Sequence, residues 1–457
     1  MSEKKSRENY IGPRGYSLIK ENFTTGQLNE IRKELTVKPF VNKQFSAEAS
    51  PFSVFLESKK KLYIPKHYGI EKFGLPSINK SEDLGKDINI TFNSSLRPKQ
   101  IPVAEKYIQV AKEKGGGIIS VPCGFGKTVL ALYILCKLGK KAIVIVHKEF
   151  LMDQWKERIQ DFIPNARVGK IQANVTKIKD CDIVLGMLQS ISMREYDDTI
   201  FDEFGLVIYD ECHHLGAEVF SKSLLKVGCQ YTLGLSATPD RSDGLTKVFK
   251  WFLGDIVYLI KKRDKEDVKV DLIKYYNESE AYSRELFNYQ GKIIMAKMIN
   301  NICLFPPRNE IILQKINDCF LEGRKILVLS DRREHLKYLK QKLDALDNGI
   351  TSGYYLGGMK QEMLKESESK NVMLATFAMA SEGFDCKELD TIILSSPKSN
   401  IEQAVGRILR KRQEDRLLVP LIIDIIDDFS IFSRQGDKRK KFYQKNDYDI
   451  ENSVIGN

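Results

Sequence analysis

A chain of 457 residues with 72 Lys+Arg against 61 Asp+Glu, a net charge of +11, is too long for one ordinary hydrophobic core and suits a polyanionic partner. Its 42% hydrophobic and 29% charged content is that of a globular protein, and its eight cysteines contain no Cys-x-x-Cys pair for a zinc module or disulfide framework. No apolar run nears the ~20 residues that span a bilayer, and the polar start Met1-Ser2-Glu3-Lys4-Lys5-Ser6-Arg7 is unlike a secretory signal, so the expectation is an intracellular monomer, in cytosol or nucleus, with no membrane partner.

Residues 1–92 mix short apolar strings with turn residues and carry no phosphate-binding signature, which predicts a small N-terminal accessory domain. From 93 to 260, apolar runs at 142–146, 183–185, 206–209 and 232–235 alternate with helical patterns. Near-continuous apolar strands separated by helices predict a parallel sheet covered on both faces. The charged stretch 261–267 reads as a hinge, after which 261–430 repeats the alternation with strands at 326–330, 372–376, 392–395 and 421–424. Residues 278–304 are predicted mainly helical, with Met295, Met298 and Ile302 as a core stripe. Residues 431–457 read as a basic polar tail that frays, and Lys438-Arg439-Lys440-Lys441 within it as solvated surface.

The strand-to-helix turn at 121–128 reads Val-Pro-Cys-Gly-Phe-Gly-Lys-Thr. Gly124 and Gly126 let the backbone curl so that its N–H groups face an anion, and the helix that follows offers its own free N–H groups and positive dipole end. Cys123, Gly124, Phe125, Gly126, Lys127 and Thr128 therefore form a candidate cradle for ATP, with Lys127 on the outer phosphates and Thr128 on Mg2+. Val121 stands where the full pattern begins with Gly, so the strand ends there. Asp210-Glu211 follows the apolar run 206–209, placing two carboxylates at the end of a buried strand. Asp210 takes the Mg2+ role, partly through water, and Glu211 that of the base for the attacking water. The adjacent His213 and His214 diverge and lack a third ligand for zinc; one of them is expected to couple the nucleotide site to other motifs.

Gln403, Arg407 and Arg410 recur three or four residues apart, so one helical face would present an amide and two guanidiniums. With a nucleotide loop on the other lobe, such arginines serve to neutralise the transferring phosphoryl group, an effect of about 10³–10⁵ in rate.

These motifs, in this order over residues 95–428, resemble those of superfamily 2 helicases of the DExH type. The resemblance implies two tandem RecA-like α/β lobes, ATP and Mg2+ as cofactors, and a nucleic-acid partner. By it, Gln100 in Leu96-Arg97-Pro98-Lys99-Gln100 is a candidate adenine reader, and Gly383 and Asp385 in the segment 375–385 also face the nucleotide. Lys148 in 147–155, Gln189 and Ser190 in 186–190, Arg332 in Asp331-Arg332-Arg333, and Thr376 are candidate nucleic-acid contacts, and Ser236-Ala237-Thr238 links hydrolysis to strand movement. The Pro-Cys-Gly-x-Gly-Lys loop and Asp-Glu-Cys-His-His are most similar to XPB-like and UvsW-like DNA translocases and to helicases of large DNA viruses, which would place a viral protein in host cytoplasm or virion. Arg241-Ser242-Asp243 stands where XPB carries Arg-Glu-Asp, which speaks against damage recognition of that sort. The resemblance favours DNA over RNA as the track. An RNA helicase, or a transcript-release factor docked on a polymerase through residues 1–92, remains the alternative.

Overall fold

The computed structural model describes every residue except 1–7, 41–49, 123, 198, 213–217, 238–243, 261–265, 347, 383–385, 412 and 457, and only the backbone at 218–220, 381 and 382. The chain divides into two compact units, residues 1–261 and 262–457. The stretch 261–265, where a hinge is expected, lies outside the described residues.

In the first unit an eight-stranded sheet runs in the order Val175–Lys177, Val168–Gln172, Ile183–Met187, Ala142–Val146, Leu206–Tyr209, Tyr231–Ser236, Gly116–Ser120, Ile256–Leu259. All neighbours are parallel except the outermost Val175–Lys177 pairing. Its central strands are buried throughout, the pattern of a sheet covered on both faces. On one face Tyr107, Leu130, Ile134 and Trp155 pack over Val144 and Ile208. On the other, Val207, Tyr209, Phe249 and Leu253 share one core with Tyr16, Leu18, Leu62 and Tyr68 from residues 10–79.

Those N-terminal residues form a small, mostly antiparallel sheet in the order Leu56–Glu57, Lys61–Ile64, Gly15–Ile19, Tyr10–Gly12, Ile78–Asn79. The helix Lys66–Phe73 docks it on the lobe, with the Tyr68 ring edge-on to Trp251 at 5.3 Å. The accessory region is thus joined to the first lobe through a common apolar core.

The second unit holds a seven-stranded, wholly parallel sheet in the order Ser352–Tyr355, Val372–Ala375, Ile326–Leu329, Thr391–Leu394, Leu421–Asp427, Lys269–Tyr276, Asp449–Gly456. The architecture is that of two tandem RecA-like α/β lobes with a small N-terminal addition. Two buried ion pairs brace the strand Leu421–Asp427. Arg308 donates to both Asp427 oxygens at 2.6 and 3.0 Å, with neither residue exposed, and Arg439 to both Asp424 oxygens at 3.0 and 2.9 Å.

The structure departs from expectation in two places. Residues 431–457 do not fray: Ser430–Lys445 is a helix and Asp449–Gly456 an edge strand paired along Lys269–Tyr276. The helix is fixed by the buried side chains Phe432, Arg439 and Tyr443, few enough that the segment still reads as polar. The segment 278–304 is helical at its two ends but broken between them. Helices Glu280–Ser283 and Met295–Leu304 flank a reversal closed by Asn288 and Lys292, with Gly291 at φ 69°, a conformation glycine adopts without steric penalty. Met298 and Ile302 are buried as expected, but Met295 is 37% exposed.

Candidate active site

The helix Lys127–Leu138 starts where the loop ends, with Gly126 at φ 89° and Gly124 at φ 84°. Among the described residues no side chain caps this helix, and a helix N-terminus directs N–H groups and a positive dipole end where a phosphate can bind. A Cβ on Gly126 would sit 2.6 Å from Gln100 Nε2, so the loop needs glycine for space as well as for torsion. Cys123 lies outside the described residues; Phe125 is half-buried against the core beneath.

Gln100 is buried and its amide faces inward. Nε2 donates to the Phe125 carbonyl at 2.9 Å and the Gly126 carbonyl at 3.3 Å, and Oε1 accepts from Arg97 N–H at 2.9 Å. The side chain of this candidate adenine reader thus clamps the glycine loop, because burial obliges each amide group to find a partner.

Lys127 Nζ reaches Glu211 Oε1 at 3.0 Å, the contact that joins the loop to the carboxylate pair. Glu211 sits at φ 48°, a left-handed conformation that a non-glycine residue keeps only when its surroundings enforce it, and its N–H donates to Asp210 Oδ1 at 3.0 Å. The second Asp210 oxygen accepts the indole N–H of Trp155 at 2.8 Å. Burial, together with the neighbouring Glu211 charge, pushes the Asp210 carboxyl above its ordinary range, while Lys127 and the two donors hold it down. Among the described residues the Asp210 and Glu211 carboxylates meet the Lys127 ammonium in a desolvated corner, and oxygen donors of this kind suit a divalent cation on Asp210, with Thr128, next to Lys127 in the sequence, as a second oxygen. Among the described residues no cluster of three or more His, Cys, Asp and Glu forms a separate metal site.

Sequence reasoning did not find the link from Trp155 to Asp210. Trp155 is 1% exposed in the core helix Glu149–Phe162, and the available signal was that a buried indole N–H needs an acceptor.

The candidate nucleic-acid residues of this unit lie at the ends of neighbouring strands. Lys148 is half-buried, its ammonium 5.9 Å over the Phe150 ring, and burial lowers its pKa. Gln189 is exposed and donates to the His147 carbonyl at 3.1 Å, tying segment 186–190 to segment 147–155; Ser190 Oγ accepts from Ala173 N–H at 2.9 Å. Ser236 ends the strand beside the loop, but Thr238, like His213 and His214, lies outside the described residues.

In the second unit Arg332 donates to Asn300 Oδ1 and to the Ala296 carbonyl, so the helix Met295–Leu304 holds it. Thr376 is half-buried and directly precedes the helix Phe377–Glu382; Gly383 and Asp385 lie outside the described residues. The expected single face of Gln403, Arg407 and Arg410 is not continuous. The helix covers only Glu402–Val405, and the i to i−3 bonds from Arg407 to Ala404 and Ile408 to Val405 tighten the chain beyond it, where Gly406 weakens helix formation. Arg407 is buried and donates to the Ala380 carbonyl, while Gln403 and Arg410 are half-buried.

Among the described residues no helix is long and apolar enough to cross a membrane. Residues 93–241 match the family described as "Type III restriction enzyme, res subunit", and 309–412 match "Helicase conserved C-terminal domain". A protein of Acanthamoeba polyphaga mimivirus, provisionally named an ATP-dependent RNA helicase, is 36% identical over 451 residues, covering 96% of this chain and 86% of its own. A provisionally named helicase of Invertebrate iridescent virus 6 is 26% identical over 384 residues, covering 80% of this chain and 84% of its own. The crystal structure of T4 UvsW aligns over 95% of this chain and 96% of its own at 17% identity with a TM-score of 0.36, too low to compare the two in detail.

Proposed function

The chain belongs to the superfamily 2 helicases, as an ATP-hydrolysing relative of those found in large DNA viruses, and we propose that it is a translocase driven along a DNA phosphate backbone by ATP hydrolysis at Lys127, Asp210 and Glu211. The observation that carries this reading is the 3.0 Å pair between Lys127 and Glu211. In this pair the lysine occupies the base. A γ-phosphate bearing more charge than one carboxylate draws Lys127 to itself, which leaves Glu211 to take the proton of the attacking water. The new bond joins that water oxygen to the γ-phosphorus as the bond to the β,γ-bridging oxygen breaks. Thr128 and Asp210 would hold Mg2+, which when bound neutralises charge on the phosphates. Trp155 keeps Asp210 aimed, and Gln100 keeps the loop curled. Arg407 and Arg410, with Gln403, supply positive charge and donors to the phosphoryl group.

Lys148, Gln189, Ser190, Arg332 and Thr376 grip the phosphate backbone, a mode tolerant of sequence and sensitive to salt. The forms of the loop and of the Asp-Glu-Cys-His-His string support DNA. RNA is the second reading, favoured by the provisional name of the mimivirus relative. Displacement of a third strand from triplex DNA tests the proposal. ATP-dependent displacement that Glu211→Gln abolishes is expected; no displacement, with ATP-dependent separation of an RNA duplex instead, would transfer the reading to RNA.

A further inference from the structure

The C-terminal helix Ser430–Lys445 is held by one face, on which Phe432, Gly436, Arg439 and Tyr443 are buried. Gly436 lies so close to the sheet that a Cβ there would come 2.5 Å from the Ile426 side chain. Arg439 binds Asp424 as described, and Tyr443 donates to Asp424 Oδ2 at 2.8 Å. The rotation of the helix about its axis is therefore fixed, and so is its outward face.

That outward face carries Arg434, Lys438, Lys441 and Lys445, all exposed. Their spacings of four, three and four residues bring them into a sector of about 60° at about 100° per residue, opposite the buried side. The line is about 16 Å long at about 1.5 Å per residue. Asp437, at its edge, is the one acidic residue between 430 and 445. A merely solvated helix gains by interleaving signs, since like charges at i,i+4 destabilise it by about 0.2–0.5 kcal/mol per pair. Here the cations are neighbours of one another, and among the described residues none of the four is in an ion pair.

Two contacts tie this helix to the Asp331-Arg332 segment. Arg439 donates to the Lys398 carbonyl, and Lys398 Nζ pairs with Asp331 at 3.0 Å. Gln435 Nε2 donates to Met295 Sδ at 3.6 Å, beside Ala296, whose carbonyl accepts Arg332 at 3.2 Å.

We infer that Arg434, Lys438, Lys441 and Lys445 form a contact track for a nucleic-acid phosphate backbone, extending the path that passes Arg332; this rests on the nucleic-acid reading above. The lysine stems are long enough to follow a curved backbone, and four exposed cations in a line select phosphate charge rather than base identity.

The test uses the full chain and measures affinity for labelled single-stranded and duplex DNA across about 50–200 mM salt. Replacing all four by Gln (Arg434→Gln, Lys438→Gln, Lys441→Gln, Lys445→Gln) should reduce the slope of log affinity against log salt by about 0.9 per lost duplex contact, or about 0.7 per single-strand contact. Two lost contacts then weaken binding about 25-fold on single strands and about 60-fold on duplex at about 0.1 M salt. Lys441→Gln alone should remove about one such step, which guards against a combined variant that folds poorly. A charge-matched control, Lys59→Gln, Lys106→Gln, Lys112→Gln and Lys114→Gln, separates local contact from the general field and should leave the slope in place. An unchanged slope in the track variant, or an equal loss in the control, overturns the track. If the wild type binds DNA and is stimulated by it while the track variant keeps its slope, only the track falls. If the wild type binds no nucleic acid, both readings fall.

Discussion

Replacing Trp155 by Phe keeps an aromatic ring in the core and removes the indole N–H that holds Asp210 Oδ2 at 2.8 Å. A hydrogen bond to a charged acceptor contributes about 1.5–3 kcal/mol, and about 1.4 kcal/mol corresponds to a factor of ten. If Trp155 acts by fixing the carboxylate that carries the cation, Trp155→Phe lowers kcat about 10- to 150-fold by that arithmetic. The smaller ring also leaves a void, which lowers the unfolding temperature whatever the effect on catalysis. The discriminating assay is steady-state ATP hydrolysis with ATP and Mg2+ titrated separately. The expected pattern is a fall in kcat with little change in KM for ATP and a Mg2+ requirement moved to higher concentration. A kcat within about twofold of wild type and an unmoved Mg2+ curve, beside a lowered unfolding temperature, would show that Trp155 only fills space.

Gln100→Ala frees the loop carbonyls of Phe125 and Gly126 and should weaken ATP binding by about 1–3 kcal/mol, five- to 150-fold, in a nucleotide titration; unaltered affinity would contradict a clamp. Arg308→Ala strands Asp427 in a fully buried site and should destabilise the second lobe by about 3–5 kcal/mol in denaturant unfolding; a loss below about 1 kcal/mol would contradict the brace. His335 is fully buried between Ser330 and Asn309, and burial pushes it down to about 3. Between that value and about 6.5 the unfolded chain takes up a proton that the folded one refuses. Stability should therefore fall on acidification from about pH 6.5 by up to about 1.4 kcal/mol per unit, and fall less steeply in His335→Gln; equal slopes would contradict a buried neutral imidazole.

The parallel strands were legible because burial on both faces leaves a signature in single runs such as 142–146 and 206–209, and the strand-to-helix turn at Lys127 because Gly124 and Gly126 permit the positive φ that such a turn requires. What was not legible depended on partners distant in sequence. Trp155 meets Asp210 across 55 residues, and nothing near it names that acceptor. Analogy makes Gln100 a candidate adenine reader but does not show that its amide bonds carbonyls 25 and 26 residues on. The C-terminal segment read as a tail because composition counts Arg439 as surface, yet that guanidinium is 2% exposed and paired with an aspartate inside a strand. The shape of the segment that carries Gln403, Arg407 and Arg410 was not legible either, since spacing cannot reveal that the helix stops at Val405.

Hydrolysis at the Lys127 and Glu211 pair, in the proposed function, is coupled to movement on nucleic acid. Steady-state ATPase activity with and without single-stranded DNA, duplex DNA, forked DNA and RNA, with Glu211→Gln as the blank, tests it most directly. Turnover stimulated by nucleic acid, by DNA above RNA, and absent in Glu211→Gln although that variant still binds ATP, is the expected result. Turnover indifferent to every nucleic acid, or undiminished in Glu211→Gln, would contradict it.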